Sequence, residues 1–142
     1  MPAGPGPIGF VAFTGVKFLG YSVAATVLNN SFQSSRSAWL VGLARTGIGL
    51  VAGTLLGGTW ILLSDHFEGK WPDWAPPTVF FGLLIPIRLA EWSLLIHFFF
   101  DRGLIQRARD LKFAAAGSGW SFVLDAVGIV SAFVIPGGFW VC

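Results

Sequence analysis

A four-helix bundle embedded in a membrane is the fold this sequence predicts, and three observations predict it. Of the 142 residues, 54% are hydrophobic and only 11% charged, with a mean hydropathy of +0.72. That charged fraction is far below the roughly 25% usual in soluble domains. Four apolar stretches each reach the length of about 20 residues that a bilayer-spanning helix requires. The polar residues between them gather into short joints, which leaves no room for a separate soluble domain. The expectation is a single all-α transmembrane domain over residues 1–142, with any function residing in the helices and their connections.

The first span reads as about 8–29 and closes at Asn29 and Asn30. It carries Lys17 in its middle, and the MPAGPGPIGF segment lacks a basic n-region, so it is expected to stay as a permanent span rather than act as a signal peptide. The second, about 38–64, opens at Ala38 and Trp39 and closes at Trp60 to Ser64. It exceeds the spanning minimum and can tilt. The third, about 78–100, follows Pro76 and Pro77, which suit a first helical turn because a missing backbone donor costs nothing there. Within it, Pro86 frees the carbonyl of Gly82 and predicts a kink beside Arg88. The fourth, about 113–135, is stopped by Pro136, Gly137 and Gly138, with Phe139, Trp140 and Val141 at the interface. No internal repeat argues for an inverted-repeat transporter.

Charge in the joints sets the expected orientation. NNSFQSSRS carries Arg36, and DRGLIQRARDLK carries Arg102, Arg107, Arg109 and Lys112, whereas DHFEGKWPDWAPP carries Lys70 alone among lysines and arginines. The positive-inside rule then places the first and third joints in the cytoplasm and both termini outside, N-out and C-out. Trp71 and Trp74 fit an aromatic belt on the outer face, and a bacterial cytoplasmic membrane is the expected location. The net charge of +2 is too small and too confined to suit nucleic acid, so no nucleic-acid partner is expected. Anionic lipid headgroups suit the third joint better, where a short interfacial helix could turn Leu104, Ile105 and Leu111 toward lipid.

Every span contains an ionisable residue: Lys17, Arg45, Arg88 with Glu91, and Asp125. Such residues in a membrane face the bundle interior or a water-filled cavity and pair with one another. At a rise of about 1.5 Å per residue, Arg45 and Glu91 lie roughly 10 and 13 Å from the cytoplasmic surface. Lys17, Arg88 and Asp125 all fall at roughly 18 Å by the same rise. Depth therefore predicts two layers, Arg45 with Glu91, and Lys17 and Arg88 with Asp125. Small or polar neighbours support this: Ser118, Ser121 and Gly128 share the face of Asp125, and Thr14, Gly20, Tyr21 and Ala24 that of Lys17. Three cations against two anions leave one positive charge over. A proton leaving Lys17 could remove it, or an anionic ligand, headgroup or partner side chain could meet it.

The series Gly49, Gly53 and Gly57 reads as a helix-packing stripe, internal or between copies. His97, nine residues beyond Arg88, sits on about the opposite side of its helix and reads as interfacial, with a haem or chlorophyll ligand as the sharper alternative. No specific cofactor follows. Asp65, His66 and Glu68 resemble a metal cluster only as a solvated turn would, so no metal site is expected. The single Cys142 excludes an intrachain disulfide, and no catalytic residue stands out. The leading functional expectation is a homo-oligomeric transport or permeation protein for a proton or small anion, with Lys17, Arg45, Arg88, Glu91 and Asp125 lining its pathway. A non-catalytic subunit bound to other membrane subunits, in an energy-transducing or pigment-binding complex, stands beside it. A small intramembrane enzyme acting on a lipid or quinone, with Glu91 or Asp125 as acid or base, is third and would need a lipid-open groove beside those carboxylates.

Overall fold

The computed structural model describes residues 6–67, 71–72, 74–131 and 133–134. Four helices account for nearly all of them: α1 Pro7–Phe32, α2 Ala38–Phe67, α3 Ala75–Phe99 and α4 Arg107–Ser131. All four are long and apolar enough to cross a bilayer, and no strand occurs among the described residues. In α1 to α3 apolar residues run around the whole helix rather than along one stripe, the pattern of helices surrounded by lipid or protein on every side. The chain is a membrane protein, and its fold is an all-α four-helix bundle.

Local chemistry sets the helix ends. Pro7 starts α1 behind an extended Gly6, where the fixed proline φ is already helical. Gln33 ends α1 in the left-handed region at φ 49° and returns its N–H to the Asn29 carbonyl. Pro76 occupies the first turn of α3, and that helix continues through Pro86 to Phe99. The largest departure from the sequence reading is the start of α4. Residues 107–112 are its first turns, so the basic joint forms no separate interfacial helix; only turns at 101–106 precede α4. Charged residues there mark where the apolar stretch ends, whereas backbone hydrogen bonding carries the helix on beyond it. Pro136 to Gly138, Phe139 to Val141 and Cys142 lie outside the described residues.

Each helix packs on its two sequence-ring neighbours, α1 on α2, α2 on α3, α3 on α4 and α4 on α1. The first and third joints meet at one end, where Arg36 Nε donates to the Phe99 carbonyl at 3.2 Å. At that end the guanidinium of Arg109 lies 4.1 Å from the Phe32 ring centre. An apolar core of Tyr21, Leu28, Val41, Trp92, Leu95 and Ile96 fills the half of the bundle toward these joints. The other half is open on one side: no described side chain from Val51 to Leu62 or from Thr78 to Leu83 is buried.

Candidate functional site

At the boundary between the packed and open halves, the five in-span charges meet in one alternating chain. Lys17 of α1 pairs with Asp125 of α4 through Oδ1. Arg88 of α3 reaches the other oxygen of Asp125 at 3.0 Å and Glu91 Oε2 at 3.2 Å. Arg45 of α2 donates to that same Glu91 oxygen at 2.6 Å. The order Lys17, Asp125, Arg88, Glu91, Arg45 touches all four helices and begins and ends on a cation. All five are buried, Arg45 completely. Ion pairs removed from solvent in this way require added hydrogen bonds to offset desolvation.

Those bonds come from a hub beneath the charges. Ser121 Oγ accepts from Trp92 Nε1 at 3.0 Å and from Arg45 Nη2 at 3.3 Å, and Tyr21 Oη lies 3.3 Å from it. Arg45 is stacked against aromatic faces, with Cζ 4.7 Å from the Tyr21 ring centre and 5.1 Å from that of Trp92. Cation–π attraction compensates part of its lost hydration. Lys17 Nζ likewise stands 4.9 Å from the Phe13 ring centre. Arg45 Nε and Nη1 and Arg88 Nε are nonetheless buried without hydrogen-bond partners. The sequence reading put Ser121 and Tyr21 on charged faces but did not anticipate their junction with Trp92; only the rotation of α3 about its axis brings the indole there. Ser118, on the same expected face, bonds back to the Ala114 carbonyl instead.

Within one chain, the three glycines of the expected series have different surroundings. A Cβ on Gly49 would stand 3.2 Å from Arg45 Nη1 and 3.9 Å from Arg88 Nη1, so this position leaves clearance for two guanidiniums. Gly53 is half-buried, and a Cβ on Gly57 would meet open space. Within the chain, close helix approaches occur at Gly42, where a Cβ would lie 3.0 Å from the Ser22 backbone nitrogen, at Gly117, where it would lie 2.7 Å from Trp92 Cε3, and at Gly20, where it would lie 2.6 Å from Leu124 Cδ2.

His97 is half-buried at the end of α3, and its Nδ1 accepts the Gly103 N–H at 3.0 Å. Gly103 needs its freedom for that bond, having φ 94°. Through that bond the histidine closes the α3–α4 turn. Glu68 and the side chains of Asp65 and His66 lie outside the described residues, and no group of three metal-ligating side chains occurs among those described.

An apolar groove between α2 and α3, about 670 Å³ in volume, runs past Ala44, Ile48, Val51, Ile87 and Ala90 to Glu91. The chain matches no protein-family model, no curated protein and no solved structure.

Proposed function

We propose that this protein is a small permeation protein of a bacterial cytoplasmic membrane, homo-oligomeric, N-out and C-out, whose five buried charges form the pathway for a proton or small anion. The observation that carries this reading is the alternating chain itself. Five ionisable groups in lipid-spanning helices are a costly arrangement, and such groups usually mark an ion or proton route. A purely structural network has no use for an odd charge, whereas a route for anions or protons does. Arg88 and Glu91 hold its middle, so Arg88→Ala and Glu91→Ala are expected to abolish proton or chloride flux into liposomes while the variants still purify as folded, helical particles. Wild-type flux in neither ion, or full flux in both variants, would sink the reading.

The groove that passes Glu91 favours another reading, an enzyme acting on a lipid or quinone, because an apolar chain lying in it would run beside that residue. Two guanidiniums already occupy one oxygen of that carboxylate, so it is engaged within the charge chain and permeation is preferred. As a non-catalytic subunit of a larger membrane complex, the reading that stands beside permeation, the chain should be unstable when expressed alone. Native mass spectrometry of gently extracted particles separates a closed homo-oligomer from a mixed assembly.

A further inference from the structure

Beside the charge chain lies a small cavity between α1 and α2, walled by Phe13, Thr14, Lys17, Tyr21, Thr46 and Gly49. Its free space, about 10 Å³ for the centre of a water-sized particle, holds one such particle. Phosphate, sulfate and carboxylates are too large for it. Lys17 lines it directly. Thr14 Oγ1 is buried without a hydrogen-bond partner; Arg45 Nη1, fully buried and also unpartnered, is not part of the lining but would stand 3.2 Å from a Cβ on Gly49. Thr46, by contrast, already donates to the Gly42 carbonyl. A guanidinium N–H can only donate, and a threonine hydroxyl can turn its proton toward an acceptor. A free hydroxyl and a lysine thus line a volume of one atom, with the odd positive charge of the chain beside it.

We propose that this cavity binds one dehydrated, halide-sized anion whose charge offsets the surplus cation of the buried cluster. The proposal rests on the permeation reading for any transport role and narrows the cargo to a monatomic anion. Its test is thermal unfolding of the full chain in detergent, titrated with sodium chloride against sodium gluconate at constant ionic strength. Because a ligand bound only by the native state raises stability with its concentration, chloride should raise the unfolding temperature saturably and gluconate should not. Thr14→Val removes the free hydroxyl at nearly constant volume and should weaken the apparent chloride affinity roughly tenfold, the loss of one hydrogen bond to a charge. Thr14→Ser should restore it, which separates binding from any general effect on folding. Equal stability in the two salts, or a Thr14→Val titration like that of the parent, overturns the site and leaves an ordered water as its occupant. Chloride flux measured on the same preparations distinguishes the two levels. Saturable stabilisation without flux keeps the site and removes permeation; flux without stabilisation does the reverse.

Discussion

Ser121 Oγ meets side chains from the other three helices, Tyr21, Arg45 and Trp92. All three groups donate toward the hydroxyl oxygen, Trp92 Nε1 at 3.0 Å and Arg45 Nη2 and Tyr21 Oη at 3.3 Å. Ser121→Ala would strand the Trp92 and Arg45 donors in a dry interior and should lower stability by about 1–3 kcal/mol, the penalty for buried unmet donors. Unfolding temperature in detergent reads it. Asp125 should weigh more, because it is shared by Lys17 and Arg88. Asp125→Leu would leave three cations facing one anion, with an expected loss of about 3–5 kcal/mol. The double variant Lys17→Met with Asp125→Leu returns the net charge of the cluster to its original surplus of one. It should therefore be more stable than Asp125→Leu alone, and the opposite ranking would show that Asp125 does not act through its pairing with Lys17.

Between helices, contact depends on which glycine faces a rigid neighbour. Gly117→Ala presses a methyl group into the Trp92 ring, which cannot swing aside without losing its Ser121 bond, and should cost about 1–3 kcal/mol. Gly57→Ala meets nothing and should stay within about 0.5 kcal/mol of the parent. Paired thermal melts in one detergent check this contrast. Regular small-residue spacing in α2 was visible in the sequence, and Gly20 was placed on the face of Lys17, but spacing does not reveal which face meets which neighbour, so Gly42 and Gly117 were not singled out. Helix existence was legible for a simpler reason: burying an unpaired backbone in lipid is prohibitive, so any apolar stretch of sufficient length has to be helical. Boundaries were less so, since α4 begins within the charged joint at Arg107, where hydropathy has already fallen.

Across the whole molecule, the pairing of the in-span charges was readable because a helix converts residue count into distance along its axis, and partners for buried charges are few. Lateral features were not, because the cavity beside Thr14 and the groove to Glu91 depend on how the four helices lean. Orientation is testable directly. With Cys142→Ser as background, Arg107→Cys should react with an impermeant maleimide only after the membrane is opened, and Trp74→Cys should react from outside in intact cells. Labelling of Arg107→Cys from outside would reverse the assigned topology. The pairing pattern also constrains the order of assembly. Lys17 and its carboxylate are separated by 108 residues, so a ribosome releases the first helix long before the last exists. Arg45 and Glu91 can neutralise each other as soon as the third helix emerges, but Lys17 lacks Asp125 until synthesis is nearly complete. The final helix to be made therefore seals the first, and a chain truncated before Asp125 should be held at the insertion machinery and degraded rather than accumulate.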